Sequence, residues 1–119
     1  MTLNLPFKHL FFYKEKPVEI VLNIGTLEAI CDDLKIDFWQ IGDKVKENEF
    51  DFSSLLLYYG YITACQKKYR KPKYNKTHAS IWYNYMSIPE KKKFIQMMTE
   101  LFGKMSSAYK ADKKKVKTD

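Results

Sequence analysis

The chain is poor in the residues that break or staple structure. Its 119 residues include four Gly, four Pro, two Cys, two His and a single Arg. So little Gly and Pro excludes collagen-like and linker-type chains. A hydrophobic share of 45% supplies enough apolar surface for a packed core, which excludes a wholly disordered class. Long apolar runs are absent too. The longest uncharged stretch is 52–66, and its apolar part, Leu55–Cys65, contains Gly60 and Thr63. A membrane span needs about 20 apolar residues, so none is expected. Met1–Leu10 lacks a basic region followed by an apolar core, so no secretory signal is read and the cytoplasm is the expected location.

The scarce metal-ligating residues are scattered. His9, Cys31, Cys65 and His78 lie at least 13 residues apart, whereas zinc sites present ligands in tight pairs. Both cysteines fall in apolar helical context, as buried free thiols do. No metal or cofactor is expected. There is no Gly-rich phosphate loop, no G-x-S-x-G, and no Ser or Cys placed with a His. The adjacent acids Asp32 and Asp33 point apart on a helix. The sequence therefore reads as a non-catalytic binding protein.

What the chain does have is pattern. Val18, Ile20 and Leu22 alternate with their neighbours after the apolar run Leu10–Tyr13, and Lys14–Pro17 form a polar connection. That predicts an N-terminal β-hairpin. About five helices follow, giving a mainly α fold in one small helical domain over 1–108, with a disordered basic tail over 109–119. Thr26 caps the first helix, whose stripe is Leu27, Ile30, Cys31 and Leu34. Asp37 with Gln40 starts the second, where Trp39 lies off the buried stripe. Asn48–Asp51 caps the third, Phe52 to Tyr69, which is apolar on nearly every side. Such a helix is either central or covered by a partner. Thr77 caps the fourth. Ser87, Pro89 and Glu90 start the last with a capping box and Pro in the first turn.

Two surfaces are candidates for function. Tyr58, Tyr59, Tyr61, Trp82 and Tyr85, with the methionine face Met97, Met98 and Met105, form a candidate client or self-association surface. Aromatics give large contact area at low entropic cost, and Met adapts to varied partners; the same residues also suit a core. The connector carries Lys67, Lys68, Arg70, Lys71, Lys73 and Lys76 without an acid, interleaved with Tyr69 and Tyr74. This basic patch suits single-stranded nucleic acid, or is simply solvated. Charge is segregated: residues 1–66 carry net −4 and residues 67–119 net +11. A dipolar molecule of this kind can self-associate, acid face to basic face.

The order of elements carries a resemblance. A strand pair leads through Val18–Asn23 and Ile24-Gly25-Thr26-Leu27-Glu28-Ala29-Ile30 into a helix. Ile36-Asp37-Phe38 follows, then Asp51-Phe52-Ser53-Ser54-Leu55-Leu56-Leu57-Tyr58-Tyr59-Gly60-Tyr61, the capped helix after Ser87 and a charged tail. Across about residues 10–105 this pattern resembles the small tail assembly chaperones of long-tailed bacteriophages, especially those of phages and prophages of Bacteroidetes-type hosts. The resemblance implies a small, helical, self-assembling protein that binds the tape-measure protein, helps recruit the tail-tube protein, and is absent from the finished virion. It also implies a longer form made by frameshifting, for which the codons of Lys113–Lys115 are candidates. No family signature residue carries over, and the basic connector is a departure. It leaves open a basic nucleic-acid-binding accessory protein of a phage or mobile element, and a structural protein that stays in the particle.

Overall fold

The computed structural model describes residues 7–47 and 49–117; beyond residue 104, and at Glu49, Phe50 and Phe102, it describes the backbone alone. An antiparallel hairpin, β1 (Phe7–Tyr13) and β2 (Lys16–Leu22), precedes five helices. These are α1 (Ile24–Leu34), α2 (Ile41–Glu47), α3 (Glu49–Lys67), α4 (Lys76–Tyr85) and α5 (Ile88–Lys117), with a 3₁₀ turn at Phe38–Gln40 ahead of α2. The mainly α fold with an N-terminal hairpin is as the sequence implies.

The hairpin turn is tighter than the polar run suggests. Only Lys14 and Glu15 connect the strands, both left-handed at φ 51° and 67°. Paired left-handed residues match the twist of a two-residue hairpin. Pro17 therefore lies inside β2, opposite Phe12. Tyr13 and Lys16 close the turn as a hydrogen-bonded pair, so strand parity points the Pro17 nitrogen to the outer edge, where its missing N–H costs no ladder bond.

Two helix caps sit upstream of the expected residues. Asn23, not Thr26, caps α1: its Oδ1 accepts from the Thr26 N–H, while Thr26 Oγ1 accepts from the Asn23 N–H. Asn75, not Thr77, caps α4, reciprocally with His78 through its Nδ1. The Asp37–Gln40 box is present at the 3₁₀ turn, with Gln40 Oε1 accepting from the Asp37 N–H at 2.7 Å. The Ser87–Glu90 box is present at α5: the Ser87 N–H donates to Glu90 Oε1 at 2.7 Å and the Glu90 N–H to Ser87 Oγ at 3.3 Å. Asn48, expected in the α3 cap, lies outside the described residues. α5 runs as helix to Lys117, across most of the stretch expected as a tail. Ala and Lys are good helix formers, and no Pro or Gly follows Gly103 to stop it.

The uniformly apolar α3 is central. It packs against β2, α1, α2 and α4, while α5 packs on β1. Closest approach falls at Gly60, where a Cβ would stand 2.3 Å from Ile20 Cγ2 and 3.1 Å from Leu22 Cδ2. Trp82 of α4 is fully buried, with Phe11, Tyr13, Tyr61 and Tyr74 around it at centroid distances of 5.4–6.2 Å. These rings join hairpin, α3, connector and α4 into one core.

Candidate functional site

The expected aromatic and methionine surface is divided between core and exterior. Trp82, Tyr61 and Met97 are buried. Trp82 sits at the centre of the ring cluster, and the Tyr61 hydroxyl accepts from the Lys73 N–H at 2.6 Å, so neither presents a binding face. This corrects the sequence reading: in so small a domain these large rings are what the helices pack around. Tyr58 and Met98 are half-buried, and Met98 Sδ accepts from Ser53 Oγ at 3.6 Å. Tyr59 is half-buried and donates to Asp33 Oδ2 at 2.6 Å. The side chain of Met105 lies outside the described residues. Among the described side chains of the group Tyr85 alone is well exposed, at 50%, with its ring edge-on to Tyr13 at 5.0 Å.

A different apolar surface is open. On β1, His9, Phe11 and Tyr13 face inward, whereas Leu10 and Phe12 face outward at 50% and 52% exposure. Strand parity also turns the Lys8, Leu10 and Phe12 backbone groups to the free edge of the two-stranded sheet. Glu90 Oε2 accepts from the Phe12 N–H at 3.0 Å, which ties this edge to the start of α5. Tyr85 and Ile88, near Glu90 in the chain, are exposed as well. A cavity of about 560 Å³ runs between β1 and α5, with Leu10, Phe12, Pro89 and Lys93 on its walls. His9 also lines it, stacked between Phe11 and Phe94, with Nε2 buried and unpartnered among the described residues. Burial holds the His9 pKa below its ordinary value; Glu90 opposes and Lys93 assists. Sequence alternation does not mark this edge, because Leu10–Tyr13 is a continuous apolar run; the parity of the paired strand sets Leu10 and Phe12 on the face opposite His9, Phe11 and Tyr13.

The basic connector forms a groove. Lys68, Arg70, Lys71 and Lys73 line a cavity of about 580 Å³ with Lys16 of β2, above Tyr61 and Tyr74. Tyr69 adopts a left-handed conformation at φ 54° as the chain leaves α3, with its ring 98% exposed. Two of the expected cations already have acidic partners. Lys68 pairs with Glu19. Lys76 pairs with Asp33 and lies over the Tyr59 ring. Hydrogen bonds from Lys76 and then Tyr59 hold the Asp33 carboxyl below its ordinary value, while burial and then Asp33 push the Tyr59 hydroxyl up. Lys67 is exposed on α3 and lines a neighbouring cavity, so the patch is a groove with outliers.

Cys31 and Cys65 are free and buried. Among the described residues no three of His, Cys, Asp or Glu gather as metal ligands would, and no helix is long and apolar enough to cross a membrane. No protein-family model, curated protein or solved structure matches the chain.

Proposed function

We propose that this chain is a non-catalytic tail assembly chaperone of a long-tailed phage or prophage. It self-associates, holds apolar segments of the tape-measure protein in the host cytoplasm, and helps bring tail-tube protein to them. The carrying observation is the outer β1 edge, where Leu10 and Phe12 are half-exposed and no further strand pairs among the described residues. A strand edge with no neighbouring strand, beside half-exposed Leu10 and Phe12, offers contact area to a client segment, and main-chain bonds beyond the Phe12 N–H that Glu90 already holds. The element order that resembles the phage chaperones supplies the client's identity.

The test is co-expression with the tape-measure protein encoded in the same phage or prophage. The chain should raise the soluble fraction of that client and co-purify with it at high salt. Leu10→Asp with Phe12→Asp should abolish capture while leaving helical content unchanged. Mass spectrometry of finished virions should find no trace of the chain. A client that stays insoluble, or capture that survives the double substitution, refutes the reading.

A basic nucleic-acid-binding accessory protein is the second reading, favoured by the cationic groove with the exposed Tyr69 ring beside it. Its signature is binding that falls steeply with salt, which apolar client capture does not show.

A further inference from the structure

We propose that the basic groove seats the acidic pole of a second copy of this chain, formed by the outer face of α1 and the turn that follows it. The inference rests on the self-association in the proposed function and gives it a contact surface.

The pole consists of Glu28, Asp32 and Asp37, all exposed. They lie close enough to the buried Cys31 thiol that, after burial itself, these three carboxylates push its pKa up. Asp32 and Asp33 stand at the carboxyl end of α1, where the helix dipole is already negative and a cation belongs. Asp33 has Lys76. Glu28, Asp32 and Asp37 have no ion-pair partner among the described residues, and Lys35 at the helix cap pairs with none of them. The pole thus carries negative charge that the folded chain does not neutralise.

The groove has the opposite deficit. Glu19 is the one acid among its lining residues, and Lys68 already holds it. Lys16, Arg70, Lys71 and Lys73 face the cavity with no acidic partner among the described residues. Each copy therefore presents both halves of a complementary contact. At physiological salt, charges more than about 8 Å apart are screened, so local complementarity outweighs the mutual repulsion of two chains of net charge +7.

A nucleic acid fits less well. The Asp33–Lys76 pair marks where the acidic region borders the basic connector. Arg70 is also the sole residue there able to grip a phosphate in bidentate fashion.

The test uses the full chain and two charge-reversed forms, Lys71→Glu with Lys73→Glu in the groove and Glu28→Lys with Asp32→Lys at the pole. All four sites are exposed, and circular dichroism checks that each form folds. Sedimentation velocity follows association against concentration and salt. Wild type should show a component of association that high salt weakens by about tenfold or more. Each reversed form alone should lose it, and an equimolar mixture should regain it as 1:1 complexes, because each then offers the charge the other lacks. Reversed forms that associate like wild type overturn the proposal, as does a mixture that stays apart or a wild type that is monomeric throughout. A labelled oligothymidylate that binds wild type, fails with the groove-reversed form, and leaves self-association unchanged assigns the groove to nucleic acid instead. Client capture through Leu10 and Phe12 at high salt is read separately and can fail or survive on its own.

Discussion

Replacing Gly60 with alanine tests how closely α3 lies against the hairpin. A Cβ there would stand 2.3 Å from Ile20 Cγ2, about 1.2 Å short of ordinary carbon–carbon contact near 3.5 Å. Ile20 is fully buried and branched at Cβ, so its methyl has no free rotamer to escape into. The Leu22 Cδ2 contact at 3.1 Å is the end of a flexible side chain and yields more easily. Overpacking a core costs about 1–3 kcal/mol, and this contact belongs at the upper end. Alanine returns about 1 kcal/mol of helix propensity over glycine. The net expectation is a loss of about 2 kcal/mol, or a Tm lower by about 10 °C in a domain of this size. Gly103→Ala is the control: that position is also helical, with nothing within 4 Å of the added carbon, so it should gain up to about 1 kcal/mol. Urea unfolding followed by far-ultraviolet circular dichroism gives both values. The decisive arm is a double-mutant cycle. With Ile20→Ala the obstructing methyl is gone, and Gly60→Ala should change sign to become stabilising. If Gly60→Ala matches Gly103→Ala in the wild-type background, α3 does not approach the hairpin as described.

Further outcomes follow from the same structure. Glu90→Gln should cost about 1 kcal/mol, because the carboxylate accepts from both the Ser87 and Phe12 N–H groups and an amide offers one acceptor only. Burial opposes ionisation of Glu90, but the Ser87 and Phe12 bonds outweigh it and hold its pKa below the ordinary 4.5. Its contribution is therefore present at neutral pH and lost as the pH falls through that depressed value. His9 acts at higher pH. It is buried neutral, so the unfolded chain takes up the proton first, and stability should fall as the pH drops below its ordinary 6.5. A Tm–pH profile of His9→Phe should be flatter between about pH 5 and 7 than wild type, and an unchanged profile refutes this. Lys14→Asn with Glu15→Gly should stabilise by about 1 kcal/mol or more, since both positions are left-handed and the native residues pay for that backbone. Chemical denaturation reads it directly.

The elements were legible where periodicity was strong. Alternation over Val18–Leu22 located the hairpin, and the Ser87–Glu90 box located the start of α5. The turn was blurred because Lys14 and Glu15 carry no Gly or Asn signature for a left-handed pair. The caps Asn23 and Asn75 are hard to read because Thr26 and Thr77, nearer the apolar stripes, are also favoured capping residues. Thr26 still belongs to its capping box, as the third helical residue, and the buried hydroxyl pair it makes with Thr63 at 2.6 Å ties α1 to α3. Such a tie joins residues 37 apart, which no local pattern reveals. The basic groove was half visible: its connector stood out by charge, but Lys16 joins it only because the hairpin folds alongside.

The misreading of the aromatic surface has a specific cause. Tyr58, Tyr59 and Tyr61 are consecutive or nearly so on α3, and consecutive helical residues point in different directions. Tyr61 turns toward Trp82, while Tyr59 turns toward Asp33. The rings around Trp82 thus belong to the centre of the domain, while Phe12, Tyr69 and Tyr85 stay exposed. The hairpin covers α3 with one face only, so strand parity leaves Leu10 and Phe12 half-exposed on the other. The two open surfaces then differ in physics. Apolar burial at the β1 edge strengthens or holds as salt rises, whereas attraction at the groove is screened. A salt titration of the wild-type chain, with client capture and self-association measured side by side, should therefore move the two in different directions, and a parallel response would place both on one surface.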